Sequence, residues 1–181
     1  MSTSLSAPVS GPTRLRKGAT NSARGASRLV ADALKAAKAA GAGGPDGTGL
    51  IILRAESDFY RSDTIAAARR AMVRFSITAR RNPAVTATIG RIQEGDWTPI
   101  TYPNAVWDDD EQRLISDAEI AETAETAFTS RRKADHIDGR LIVRRVKRLN
   151  PKHKAGPADG AGQQELFSLY RHPAVFTDSP R

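Results

Sequence analysis

The chain has 181 residues and no cysteine, 39% of its residues are apolar and 6% aromatic, and its formal net charge is +8. This length suffices for one domain with a hydrophobic core, while the lack of cysteine excludes disulfide frameworks and thiolate metal sites. No apolar run could span a membrane or form the core of a signal peptide, so we expect a cytoplasmic protein with no membrane partner.

The N-terminal half predicts a helix followed by a buried strand. Residues 1–23 are rich in Ser, Pro, Gly and Thr, which predicts a disordered or extended segment. In 24–40 the apolar residues have the spacing of an amphipathic helix. A glycine-rich loop at 41–47 ends this helix, and the apolar run 50–53 is typical of a strand buried on both faces of a parallel sheet. The apolar stripe of the helix comprises Ala26, Leu29, Val30, Ala33, Leu34 and Ala37.

A second helix and strand follow at close spacing. Ser62 or Asp63 can cap a helix that continues to about Met72, with Ile65, Ala68 and Met72 facing inward. The alternation in 74–79 predicts a strand. A strand, a helix and a strand in this order form a parallel crossover unit.

From residue 83 onward the pattern favours a mostly antiparallel β region. A short helix is predicted at 84–92, and 150–164 is rich in Gly, Pro and Lys, which predicts a flexible loop. Short β-prone runs separated by turn residues occur at 97–102, 106–107, 114–115, 126–129, 141–146 and 166–176. We therefore expect an α/β chain, with a helix-strand-helix-strand unit in 24–82 and a β-rich region in 83–181.

The residues with the strongest chemical signal are the carboxylates that follow the first predicted strand, in Arg54-Ala55-Glu56-Ser57-Asp58-Phe59-Tyr60. The carboxyl end of a buried strand is where an open α/β sheet presents side chains to a ligand, and carboxylates suit Mg²⁺. On extended backbone, Glu56 and Asp58 would point to the same side and could share one weakly bound ion. The alternative is a solvated turn between strand and helix.

Charge is unevenly distributed along the β region. Residues 131–154 contain ten Lys and Arg against two Asp, an excess of +8, whereas 106–126 contain eight Asp and Glu against one Arg, an excess of −7. Either these blocks lie against each other and largely cancel, or the basic block contacts DNA while the acidic block repels it. The candidate DNA-binding residues are Arg140, Arg144, Arg145, Lys147 and Arg148.

Two further features of this region leave alternatives open. Strand alternation would place Arg144 and Arg148 on one face and Arg145 and Lys147 on the other, so at most one set can line a DNA groove. Trp97 and the other tryptophan, Trp107, could stack on unstacked bases or fill the core of the β region.

Several segments, taken in order, resemble the central part of actinobacterial insertion-sequence transposases of the DDE type. The resemblance runs from about residue 13 to 180 and is carried by 14–18, 21–26, 54–60, 74–80, 97–100, 105–109, 127–130, 140–147 and 174–180. It implies a partial ribonuclease-H-like core followed by a β insertion. Members of this family bind divalent metal ions, Mg²⁺ in particular, with two Asp and one Glu, and they cut and rejoin DNA.

By this resemblance the second Asp of the family falls on Glu56, and Asp58 is a possible substitute. The first Asp of the family lies on a strand upstream of the position matched by Arg14, and the Glu lies on a helix after the segment matched by 174–180. The residues at 1–12 include no carboxylate. The chain is therefore expected to be an internal fragment of a longer transposase, with one of the three metal-binding positions.

These expectations lead to two functional hypotheses and to a third, that the chain is a pseudogene product that never folds stably, because a core without its first strands leaves 50–53 as an unpaired, aggregation-prone edge. The first is a DDE transposase fragment, ancestrally active in DNA cleavage and strand transfer and inactive alone. The second is a non-catalytic DNA-binding or interfering protein, which could associate with a full-length transposase of the same element. In either case DNA binding is expected to be weak and mostly independent of sequence, because it would depend on phosphate contacts.

Overall fold

The computed structural model describes residues 24–44, 46–100, 107–109, 113–114, 118–147 and 170–180. These residues form three α-helices and a seven-stranded sheet that is mostly antiparallel, as expected for a mixed α/β chain. The predictions for 1–23 and for the loop 150–164 lie outside the described residues.

The first helix, α1, spans Ala26–Ala39 and buries Ala26, Val30 and Leu34, which belong to the predicted apolar stripe. It ends directly before the glycine-rich loop, as predicted. The first strand, β1, spans Ile52–Ala55, two residues later than expected.

The prediction that this strand is buried on both faces is wrong, because Leu50 is 61% exposed and Ile52 39% exposed. One edge of β1 pairs with the next strand, and no other described strand pairs with the opposite edge. The helices cover only one face of the strand, so alternate residues remain open to solvent.

Helix α2 spans Ser62–Arg70 and strand β2 spans Arg74–Thr78. Ile65 and Ala68 are fully buried, as predicted, but Met72 is 88% exposed and its predicted inward orientation is wrong. Met72 lies beyond the helix in the left-handed region, with φ of 56°. Its N–H donates to the Arg69 carbonyl and the N–H of Val73 donates to that of Ala68, which is the Schellman pattern that ends a helix.

The remaining elements follow the predicted order with different bounds. Helix α3 spans Pro83–Gly90, with Asn82 Oδ1 accepting a hydrogen bond from Val85 N at 2.9 Å and proline at the first turn. The strands are β3 Thr98–Ile100, β4 Trp107–Asp108, β5 Arg113–Leu114, β6 Ala118–Ala127, β7 Ile137–Lys147, β8 Tyr170–Arg171 and β9 Ala174–Thr177. Strands β4 and β5 form a separate two-stranded sheet.

The main sheet has the strand order β1-β2-β9-β7-β6-β3, with β8 paired to the end of β7. β1 and β2 are parallel, with Ile52 opposite Arg74, as the predicted crossover requires. All other described pairs are antiparallel. β9 lies between β2 and β7, so the last described strand joins the strand-helix-strand unit to the β region.

One buried cluster extends across this junction. Phe75 and Ile77 of β2, Leu141 of β7 and Phe176 of β9 are fully buried, and Tyr60 packs with them. The Phe176 ring lies 5.3 Å from the Phe75 ring and 5.9 Å from the Tyr60 ring. This cluster lies on the face that α2 and α3 cover, and a second buried cluster joins α1 to α2 through Val30, Leu34, Ala67, Ala68 and Val73.

Candidate functional site

Glu56 directly follows β1, at the end of the sheet where the parallel strands β1 and β2 both terminate. Its side chain is exposed, and the Thr78 hydroxyl at the end of β2 donates to Glu56 Oε2 across a long 3.5 Å. The structure therefore places the sequence-predicted carboxylate at a strand end with a second oxygen group beside it.

Asp58 is also exposed, but its predicted alignment with Glu56 is wrong. The prediction required extended backbone, whereas Ser57–Phe59 is a 3₁₀ helix that begins directly after Glu56. Successive side chains in a 3₁₀ helix point about 120° apart, with three residues per turn. The alternation of an extended strand therefore does not apply between these two carboxylates.

This strand end has few side chains that could bind a cation together. Within the described ranges, no group of three or more His, Cys, Asp or Glu side chains is arranged to hold a metal ion. Glu56 and the Thr78 hydroxyl offer neighbouring oxygen donors of the kind that Mg²⁺ takes. They do not provide carboxylates from several elements, which a pair of ions requires.

Basic residues lie along the same end of the sheet. Arg80 and Arg81 follow β2 and are exposed. Arg144 of β7 is exposed, and its N–H donates to the carbonyl of Pro173, the residue before β9. Since β1 and β7 are three strand intervals apart, Glu56 and Arg144 are separated by about 14 Å across the sheet.

The five predicted DNA-binding residues do not share one surface. Along β7, Arg144 is exposed and Arg145 is only 7% exposed, which confirms that they point to opposite faces. Arg140 is half-buried and donates to Glu122 Oε1 at 2.7 Å and to the carbonyl of Ser179. Arg148 and the side chain of Lys147 lie outside the part of the chain that the structure describes.

Arg145, a candidate DNA-binding residue from the sequence, is the centre of a cluster of carboxylates and aromatic rings. Its guanidinium donates to both carboxylate oxygens of Glu94 at 2.7 and 2.9 Å and to Glu119 Oε2 at 2.6 Å. It also stacks over the rings of Trp97 and Tyr170, 4.5 and 5.1 Å from their centroids. These contacts use the side chain internally, and the burial leaves little of it for a phosphate.

The ion pairs of this cluster also shift the titration of its members. Hydrogen bonds from Arg145 lower the pKa of the Glu94 carboxyl. Hydrogen bonds to Glu94 and Glu119 in turn raise the pKa of the Arg145 guanidinium. Arg145 therefore stays charged throughout the accessible pH range and holds β7 to the segment before β3.

The same strands show how the two charge blocks are arranged. β6 lies in the acidic block and β7 in the basic block, and they pair along their length. Glu122 pairs with Arg140 at 2.7 Å and Glu119 with Arg145 at 2.6 Å. At these four positions the structure supports mutual cancellation.

A buried carboxylate on β6 was not predicted. Glu125 is only 8% exposed, and its Oε2 accepts from the hydroxyl of Thr88 on α3 at 2.6 Å. Arg91 donates to the same hydroxyl oxygen at 2.8 Å. Burial, together with the nearby charge of Glu125, raises the pKa of Tyr60 to about 12. The sequence does not reveal this burial, because it depends on the pairing of β6 with β7 and on the docking of α3.

The two tryptophans differ in surroundings. Trp97 is partly buried, packs against the core cluster and lies under Arg145. Trp107 is exposed in the small β4-β5 sheet. The core-filling interpretation therefore suits Trp97, whereas Trp107 is 52% exposed and lies outside the buried clusters.

In comparisons with known proteins, the chain matches no protein-family model, and no curated protein sequence is significantly similar to it. Across the described ranges, every helix is too short or too polar to cross a lipid bilayer.

Proposed function

We propose that the chain is part of a DDE-type transposase, in which it supplies the strand end of the second metal-binding carboxylate and the β insertion. The observation that carries this proposal is the position of Glu56, at the carboxyl end of the first of two parallel strands. A strand-helix-strand unit followed by an antiparallel region has the element order that the sequence resemblance implies.

The proposed ancestral chemistry is cleavage and strand transfer of DNA with Mg²⁺. Two-metal phosphoryl transfer needs ions about 3.5–4 Å apart, held by carboxylates from separate elements. Glu56 and Asp58 come from one strand end, and Glu reaches about one methylene further than the Asp of the family pattern. The proposal is therefore that this chain does not cleave DNA by itself and that Glu56 would serve as one ligand in a completed site.

A second candidate function is that of a non-catalytic DNA-binding or interfering protein, whose partner would be a full-length transposase of the same element. The observation that favours it is the exposed Arg80, Arg81 and Arg144 at the sheet end that carries Glu56. Together with the net charge of +8, these cations suit contacts to phosphates rather than to bases.

The test of catalysis is incubation of the purified chain with supercoiled plasmid in Mg²⁺ or Mn²⁺. We expect no nicking above that of a Glu56→Ala control, because one strand end cannot hold two ions. Nicking by the chain that Glu56→Ala abolishes would show a complete site and would overturn the proposal.

The test of DNA binding is the salt dependence of affinity for a duplex of arbitrary sequence. Arg144→Gln should flatten the slope of log affinity against log salt by up to about 0.9. The matched control is Arg70→Gln, which is also exposed and lies at the end of α2, beside the start of β2 and thus at the opposite end of the sheet; it should leave the slope unchanged. Equal slopes for the two variants would exclude the β7 sheet end as the DNA contact.

A further inference from the structure

Among the described residues, the outer edge of β6 is open over most of its length. β3 pairs only with its first three residues, with Ile100 opposite Ala118 and Thr98 opposite Ile120. From 121 to 127, no strand among the described residues pairs with that edge. In this stretch the backbone N–H and C=O groups of alternate residues point away from β7 and can accept another strand.

Two adjacent clefts follow this open edge. One of about 370 Å³ is lined by each residue from 120 to 123, and the other, of about 610 Å³, by each residue from 124 to 126. Arg91 lines both. The clefts are lined by residues from both faces of β6, and Asp138 and Gly139 of β7 also line the larger one.

Helix α3 forms the opposite wall of the larger cleft. It contributes Ala84 and Ala87, whose small side chains leave room beside the strand, and Thr88. The 2.6 Å hydrogen bond from Thr88 to Glu125 fixes α3 against β6. A groove between a helix and an open strand edge is the geometry in which proteins bind extended peptides by strand addition.

The charge of this groove is opposite to that of the whole chain. Its lining includes Asp96, Glu122, Glu125 and Asp138 as acidic residues and Arg91 as the basic one, which gives a net charge of −3. The ion pair of Arg140 with Glu122 reduces this to −2. A negative lining in a chain of net charge +8 disfavours phosphates and favours a cationic ligand.

We propose that the groove between α3 and the open edge of β6 binds an extended, lysine- or arginine-rich segment of a partner protein, which adds to the sheet as a strand opposite 121–127. Seven residues of β6 span about 24 Å, enough for a peptide of similar length. Backbone hydrogen bonds to β6 provide the binding, and the carboxylates select basic side chains.

The experiment measures binding of fluorescent eight-residue peptides to the full chain by anisotropy. The probe alternates lysine and valine, and the two comparison peptides carry glutamate in place of lysine or N-methyl groups on alternate backbone nitrogens. We expect the lysine peptide to bind, the glutamate peptide not to bind, and the N-methylated peptide to bind at least about tenfold more weakly, because it cannot complete the strand ladder.

Variants of the groove make the test specific. Ala87→Trp fills the space beside β6 at an exposed helix position and should weaken binding about tenfold, whereas Ala36→Trp, exposed on α1, should not. Asp96→Asn combined with Asp138→Asn should weaken it by about threefold or more. Circular dichroism melting of each variant checks that the fold is intact.

Several results would overturn the proposal. Equal binding of the lysine and N-methylated peptides would show attraction by charge alone, and equal binding by the Ala87→Trp variant would place the peptide elsewhere. Absence of binding of the lysine peptide would also overturn the proposal. Self-association of the chain that Ala87→Trp abolishes in sedimentation would identify a second copy, instead of a basic partner, as the occupant.

Discussion

Gly139 lies on β7 beside the end of the neighbouring strand β9, and its replacement by alanine tests the junction between the two halves of the fold. A Cβ at this position would lie 2.8 Å from the Thr177 carbonyl oxygen and 2.9 Å from two ring carbons of Phe176. Neither neighbour can move easily. Thr177 is held in register with Arg140 of β7, and the Phe176 ring is fully buried.

The expected cost of Gly139→Ala follows from this overpacking. Inserting a methyl group into a close-packed core costs about 1–3 kcal/mol. For a chain of this size, each kcal/mol lowers Tm by about 2–4 °C. We therefore expect a decrease in Tm of about 2–12 °C, measured by circular dichroism, and a lower urea midpoint with an unchanged m-value.

Gly90→Ala is the matched control. Gly90 is the last residue of α3, and no heavy atom lies within 4 Å of a Cβ placed there. Alanine should be neutral or stabilising by about 0.4–1 kcal/mol, because it restricts the unfolded chain. In a Phe176→Leu background, the smaller side chain should relieve part of the cost at Gly139. Equal stability of Gly139→Ala and the wild type would refute the close packing of β7 against β9.

Three further outcomes are expected. Arg145→Lys should lower Tm measurably in thermal melts, because an ammonium cannot reproduce the forked hydrogen bonds and ring stacking, whereas Arg144→Lys at the exposed neighbouring position should not. The pKa of Tyr60 is raised to about 12 from an ordinary 10.0, which means that the fold favours the neutral phenol. The stability that this provides is complete below pH 10 and is lost as pH rises through 12. In urea unfolding between about pH 9 and 12, the free energy of unfolding of Tyr60→Phe should therefore fall less steeply with pH than that of the wild type. Met72→Gly should raise the free energy of unfolding by about 1 kcal/mol, because glycine adopts the left-handed conformation without strain; no gain relative to Met72→Ala would contradict this reason.

The sequence was informative where local rules decide the structure. The spacing of apolar residues located α1 and α2, and the apolar run before Glu56 located β1 within two residues. Glu56 was placed correctly at a strand end because the change from apolar to acidic residues marks that boundary. The burial of β1 was misjudged, since it depends on neighbouring strands that periodicity does not reveal.

The main failure was β6, for which only 126–129 was predicted as strand. The sequence AEIAETAETA is rich in Ala and Glu, which are depleted in strands, and its three-residue repeat does not alternate. Its stability as a strand comes from pairing with ten residues of β7, including the ion pair of Glu122 with Arg140. Such long-range pairing overrides local propensity and cannot be deduced from one segment alone.

The pairing of β6 with β7 also changes where a polyanion could bind. Arg140 and Arg145 belong to the basic block, yet both are engaged by carboxylates of the neighbouring strand. By contrast, 131–133 in the connection between the strands contains three exposed basic residues. Charge cancellation therefore covers only part of the block, because Arg140 and Arg145 pair with carboxylates of β6 while Arg144 and 131–133 are exposed. For the proposed DNA binding, the affinity should depend on salt less steeply than the formal excess of +8 in 131–154 implies, because Arg140 and Arg145 are already held by carboxylates.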